Sequence, residues 1–190
     1  VTCPNSLRQG SEGNHLSCTL DLGAADLFPA AREAVLTWEL HEAAGVLIRP
    51  RRRVDVGRRV ELRLDALWPL PPRRRRVLTV PVGGCEITEV VDTATCAGFT
   101  YRTLPGHLVS GEETFLVSIG TDGRLGVTIT STSVPEPAPL RTVAPLVVAG
   151  QQHMARRYAQ GLRRILKRVR SVPARPAEPD RSLPSVASGE

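Results

Sequence analysis

At 190 residues, 41% hydrophobic and with a formal charge of +6, the chain is long enough for one domain with its own core, and a second domain is not expected. No apolar run approaches the about 20 residues of a membrane-crossing helix, and Val1 to Gly10 has neither a basic nor an apolar leader stretch, so a soluble, cytoplasmic protein is expected. The positive charge is almost all arginine, with Lys167 the single lysine, and such a bias alone does not point to nucleic acid.

The first predicted element is a strand over Asn14 to Leu22, where Leu16, Cys18, Leu20 and Leu22 alternate with polar residues. Gly23 ends it, and Asp26 is placed to cap one helix of about five turns that carries Leu27, Ala31, Ala34, Val35 and Trp38 on its apolar face and stops at Gly45. From Val46 the period changes to two. Strands are predicted around Val60 to Ala66, Val77 to Val82, Cys85 to Val91, Ala97 to Thr103, His107 to Ile119 and Arg124 to Ser131. Asp122-Gly123 marks a tight hairpin between the last two.

Val134 to Pro145 reads as a proline-rich linker. A 3.6-residue period then returns, with Val147, Gly150, Met154, Tyr158, Gly161, Leu162, Ile165 and Val169 on one stripe and Arg156, Arg157, Arg163, Arg164, Lys167 and Arg168 opposite. This predicts a long amphipathic helix that needs a large apolar surface to lie against. Residues 172–190 hold too little apolar material for a core and are expected to be a disordered tail, and residues 1–13 a poorly ordered extension, which leaves 14–171 as the domain.

A strand, a helix, about six antiparallel strands and a long final helix resemble the START-like (SRPBCC-type) helix-grip proteins in element order. The expected fold is therefore α+β, a curved antiparallel sheet of about seven strands wrapped around the C-terminal helix, and the resemblance implies a cavity between the two.

A closer resemblance rests on Trp38-x-x-His41-x-x-Ala44-Gly45, on Gly98-Phe99-x-Tyr101-x-Thr103-Leu104-Pro105-Gly106-His107-x-x-x-Gly111-Glu112-Glu113-x-Phe115, on Ile129-x-Ser131-x-Ser133 and on His153-x-x-Arg156. Over about Asn14 to Val169 the chain is similar to uncharacterised protein family five hundred and forty-eight, also called domain of unknown function nineteen-ninety. The resemblance brings no assigned activity and no catalytic residue. Val1 to Gly13 departs from it, lacking the Tyr-Pro-Glu-type turn that members carry before the first strand.

Cys3, Cys18, Cys85 and Cys96 form no C-x-x-C pair and have no histidine at zinc-finger spacing, so reduced thiols, no metal and no cofactor are expected. The serines lack a G-x-S-x-G context, and a hydrolase triad is not supported. The chemistry-bearing residues concentrate around His107 and Glu113. On a straight strand from His107 the two share a face but stand about 20 Å apart, too far for an acid/base pair.

A tight turn at Pro105-Gly106 pairs Tyr101 with Ser110 and puts Phe99 and Tyr101 on the face opposite Phe115 and Val117. Both sets look like core, so a bulge or a wider loop around Ser110-Gly111 is needed to bring them together. Glu113 then has two readings: a structural ion pair with a helix arginine, or a carboxyl facing an apolar cavity.

The leading expectation is a domain that binds a small hydrophobic molecule between sheet and helix. Phe99, Phe115, Val117, Val127, Ile129 and Met154 are its candidate walls, Tyr101 and Glu113 its polar contacts, and His107, His41, His153 and Arg156 its candidate mouth. Trp38 is expected in the core. The alternatives are a cyclase- or lyase-type enzyme with Glu113 as acid/base and Tyr101 as donor, and a basic module for RNA or anionic lipid built on Arg51-Arg52-Arg53 and Arg73 to Arg76. No aromatic interleaving accompanies those arginine runs, which weighs against nucleic acid.

Overall fold

The computed structural model describes residues 14–66, 78–107, 109–135 and 144–171. The expected extension, the tail and the Arg73 to Arg76 run lie outside the described residues. Seven strands, β1 (Asn14–Ala24), β2 (Val46–Arg49), β3 (Arg59–Asp65), β4 (Thr79–Asp92), β5 (Cys96–Thr103), β6 (Val109–Ile119) and β7 (Arg124–Pro135), form one antiparallel sheet in the order β1-β7-β6-β5-β4-β3-β2. Only β1 is out of sequence order. It pairs with β7 because the helical segment after it carries the chain from one edge of the sheet to the other, where β2 begins.

That segment consists of a 3-10 turn (Ala25–Leu27), α1 (Phe28–Leu36) and α2 (Glu39–Ala44). The single capped helix expected over this stretch is thus broken, and Asp26 is not its cap: it lies inside the 3-10 turn, and the residue before α1 is Leu27, which makes no side-chain cap bond. The break falls at Trp38, which takes a left-handed conformation with φ of 69°. Trp38 is fully buried, as expected, and its indole nitrogen donates to the Arg52 carbonyl at 2.8 Å. Seating that ring while satisfying its N–H outweighs the roughly 1–2 kcal/mol that a non-glycine residue pays in this region.

The last helix, α3 (Ala144–Ser171), packs against α2, β1, β7 and α1. Its buried stripe is Ala155, Tyr158, Ala159, Gly161, Leu162 and Leu166, with Met154 and Ile165 partly covered. Two assignments on this helix change. Val169 is 47% exposed, and Arg157, expected on the wet face, is buried.

The inner face of the sheet follows the period-two rule: Phe99 and Tyr101 of β5, Glu113, Phe115 and Val117 of β6, and Leu125, Val127, Ile129, Ser131 and Ser133 of β7. Each large apolar side chain buried there contributes about 1.5–3 kcal/mol. With α3 laid across this curved sheet the architecture is the helix-grip arrangement expected from element order. The hairpin at Gly120 to Gly123 is also present, closed by Gly123 donating to the Gly120 carbonyl at 3.0 Å.

The strands predicted over Val77 to Val82 and Cys85 to Val91 are one long strand, β4. It is continuous through Gly83, at φ of 144°. The linker expected over Val134 to Pro145 is shorter than its composition suggested, since β7 continues to Pro135 and α3 already begins at Ala144. Cys18 and Cys85 are free, but Cys96 is disulfide-bonded, so the expectation of reduced thiols fails for that residue.

Candidate functional site

The inner face of β5, β6 and β7 is apolar along most of its length and turns polar at one end. Tyr101 pairs directly with Glu113, Glu113 with Ser131, and Gly111 with Ser133, so one lateral row after another carries oxygen instead of hydrocarbon. The Tyr101 hydroxyl donates to Glu113 Oε2 at 2.5 Å. From α3, Gln151 Nε2 donates to Ser133 Oγ at 2.7 Å. Between them is a pocket of about 50 Å³ lined by Tyr101, Thr103, His107, Val109, Gly111, Glu112, Glu113, Ser131, Ser133 and Gln151.

The register that assembles this row is Phe99 opposite Phe115 and Tyr101 opposite Glu113, not the tight-turn register with Tyr101 opposite Ser110. The wider loop is the solution adopted. β6 pairs with β7 from Val109 to Ile119 and with β5 from Glu112 to Ser118, and neither ladder contains a shift. Thr103 bridges the wide end of the hairpin, its Oγ1 accepting from the Gly111 N–H at 2.8 Å.

Gly111 is required there by close approach. A Cβ at this position lies 2.0 Å from the Thr132 carbonyl oxygen. Gly111→Ala is expected to lower unfolding free energy by about 2–4 kcal/mol, because the obstruction is backbone and cannot swing away. Urea denaturation of the variant checks this, and an unchanged midpoint means that the strands part without cost.

Glu113 sits where a carboxylate is poorly solvated. Burial pushes its pKa up to about 7, only partly offset by the bond from Tyr101, which favours the ionised form. Its charge in turn raises the Tyr101 and Tyr158 hydroxyls and the Cys85 thiol, for each of which burial is the larger cause.

His107 is not on the strand. β6 begins at Val109, and His107 lies in the loop before it, folded back so closely on β4 that a Cβ at Gly83 meets its Cα at 2.6 Å. The 20 Å separation computed for a straight strand therefore does not apply, and His107 and Glu113 line the same pocket. Nδ1 of His107 donates to the Val109 carbonyl at 2.8 Å, while Nε2 is buried without a partner among the described residues. Burial lowers its pKa.

His41 is the largest departure from expectation. It is not at a mouth but fully buried, one helical turn from Trp38, with ring centroids 4.4 Å from Phe115, 4.8 Å from Tyr158, 4.9 Å from Trp38 and 5.9 Å from Phe99. Neither ring nitrogen has a hydrogen-bond partner among the described residues, and desolvation lowers its pKa to about 3. The helix break at Trp38 turns this residue inward, and nothing in the spacing signals that break.

A family model described as domain of unknown function, DUF1990, matches residues 5–161. The chain belongs to that family. A UPF0548 protein of Deinococcus radiodurans is 43% identical to this DUF1990 chain over 77 residues, which are 40% of the chain and 39% of that relative, so the match spans about two fifths of each. Among solved structures, a hypothetical protein of Helicobacter pylori covers 85% of this chain and 96% of its own at 11% identity and a TM-score of 0.60. A protein of Arthrobacter aurescens covers 81% and 86% at 13% identity and a TM-score of 0.52. Likeness at that identity speaks to fold alone.

In this DUF1990 chain, only Tyr101, Glu113 and His107 of the expected site residues line the pocket. Phe99, Phe115, Val117, Val127 and Ile129 are buried in the core, with Phe99 and Phe115 stacked at 5.5 Å, and Met154 packs against the same cluster. His153 and Arg156 are exposed on α3. Sequence reading did not assign Ser131, Ser133, Thr103 and Gln151. The two serines were detectable, since they continue the inward alternation of Val127 and Ile129. Gln151 was not, because its role depends on where α3 crosses β7.

Of the Arg51 to Arg53 run, Arg51 and Arg53 are drawn into local ion pairs. Arg51 lies 3.2 Å from Glu42, and Arg53 lies 2.7 Å from Glu33 and 3.5 Å from Asp92, which Arg32 also grips. Among the described residues no group of His, Cys, Asp and Glu has the arrangement of a metal site, and no helix is long and apolar enough to cross a membrane.

Proposed function

We propose that this DUF1990 domain binds a small molecule with one polar end and an apolar body, the polar end held by Glu113 and Tyr101. The observation that carries the reading is the Tyr101–Glu113 bond beneath a pocket rimmed by Thr103, Ser131, Ser133 and Gln151. A carboxyl at about 7 exchanges its proton readily near neutrality, and it accepts a hydrogen bond or a positive charge from a ligand that also supplies desolvation. The pocket volume of about 50 Å³ is below the roughly 300 Å³ of a site that encloses a whole ligand. It takes the polar end, and the apolar body rests on Val109 at the rim.

Native mass spectrometry of the gently purified chain tests this. A retained adduct is expected for the wild type and reduced occupancy for Tyr101→Phe. A wild-type spectrum with only the bare chain mass, from cells and from extracts added back, sinks the reading.

One observation also favours an enzyme. A buried carboxyl that accepts a hydrogen bond from a phenol, with its pKa pushed up to about 7 by burial, is suited to general acid/base work of the cyclase or lyase kind. In that case Glu113→Gln abolishes turnover of the retained molecule, whereas for a binding protein it changes affinity only modestly.

A further inference from the structure

A second cavity, of about 200 Å³, opens at the far end of α3. Gln151 and Arg163 are separated by about 18 Å along the helix axis, so this cavity is distinct from the Glu113 pocket. Its lining is Asp21, Leu22 and Gly23 of β1, Leu27, Arg124 of β7, and Arg163, Leu166, Lys167 and Arg170 of α3. Four cations thus face one carboxylate over a floor of Leu22, Leu27 and Leu166, and those three leucines are buried.

The β1 strand is shaped to this corner. Its register against β7 shifts between Asp21 and Gly23, so that Leu22 is turned into the floor while Asp21 remains at the rim. Asp21 is bonded by Arg124, whose Nε donates to Oδ2 at 2.9 Å. Asp21's pKa is lowered chiefly by that bond, and Arg163 adds a smaller effect.

Helix end effects do not account for this convergence. Cations in the last turn of a helix are favoured by its dipole, which covers Arg168 and Arg170. Arg163 and Lys167 lie before that turn, and Arg124 is on a strand. Like charges four apart on a helix, as Arg163 and Lys167 are, destabilise it by a few tenths of a kcal/mol. An anion in the cavity relieves that repulsion.

We propose that this cavity binds a phosphate monoester with an apolar substituent, the phosphate between Arg163, Lys167 and Arg124 and the hydrocarbon on Leu22, Leu27 and Leu166. The shape fits the chemistry: a phosphate offers three acceptor oxygens to several cations at once, and an apolar floor has no role for a bare ion. The same head occurs on soluble phosphate esters and on phosphatidic acid, and the two sources separate by experiment.

Hexyl phosphate and inorganic phosphate are titrated calorimetrically into the full chain, alongside flotation with phosphatidylcholine vesicles with and without phosphatidic acid. Hexyl phosphate is expected to bind at least about tenfold more tightly than inorganic phosphate. Arg163→Ala with Lys167→Ala is expected to weaken it at least about tenfold. Arg156→Ala with Arg168→Ala removes the same charge from exposed α3 positions outside the lining and should leave affinity unchanged. Lys167→Gln alone, a milder change, should show part of the loss if the double variant folds poorly.

Vesicle binding that depends on Arg163 and Lys167 assigns the head to lipid, and hexyl phosphate binding without flotation assigns it to a soluble ester. No binding of hexyl phosphate, equal affinity for hexyl and inorganic phosphate, or equal loss from both double variants overturns the proposal.

Discussion

His41→Leu is expected to stabilise the protein against acid by about 1.4 kcal/mol for each pH unit below 6.5, reaching about 3 kcal/mol at pH 4.5. In the folded chain His41 stays neutral down to about pH 3, while in the unfolded chain it takes up a proton near its ordinary value of 6.5. Between those values the unfolded state binds more protons, and stability is lost as pH falls. Leucine has no proton to bind, and it also removes two ring nitrogens without partners from the ring cage of Trp38, Phe99, Phe115 and Tyr158.

At pH 7, where the imidazole is neutral in both states, the substitution should therefore be close to neutral or stabilising. Urea unfolding of both proteins from pH 4 to 7 gives the difference directly. Parallel curves mean that His41 is solvated in the native state.

This histidine also shows where sequence reading stops. Period two identified the strands, and the odd-numbered row from Glu113 to Val117 fell on the expected inner face. Period 3.6 found the stripe on α3. Both are properties of regular elements, so they fail where an element is interrupted.

The interruption at Trp38 is set by a bond to the Arg52 carbonyl, which lies 14 residues on, in the segment after β2, and is invisible to local spacing. The same limit applies to His107: Pro105-Gly106 suggests a tight turn, yet the Tyr101–Glu113 and Phe99–Phe115 pairs fix a wider one. Apolar lateral pairing decides that register, since a tight turn puts two aromatic rows on opposite faces. The polar end of the site was legible in Ser131 and Ser133, but its contact with Gln151 is a tertiary fact.

Glu113→Gln is expected to act in the opposite direction across pH. Burial holds Glu113 at about 7 in the folded chain against an ordinary value of 4.5. Below 4.5 it is protonated in both states and its full contribution is present. As pH rises from 4.5 through 7 the unfolded chain releases the proton first, and stability falls by about 3 kcal/mol in all.

Glutamine keeps an acceptor for the Tyr101 hydroxyl and carries no charge, so the variant should gain about 3 kcal/mol on the wild type between pH 4 and pH 8. In the wild type, the falling contribution of Glu113 and the rising contribution of His41 overlap between 4.5 and 6.5 and cancel there, because each changes by about 1.4 kcal/mol per unit. Each single variant exposes the slope of the other group: Glu113→Gln should gain stability as pH rises toward 6.5, and His41→Leu should lose it. A Glu113→Gln curve parallel to the wild type over pH 4 to 8 would show that the carboxyl titrates normally, which removes the physical basis for a ligand contact at this pocket.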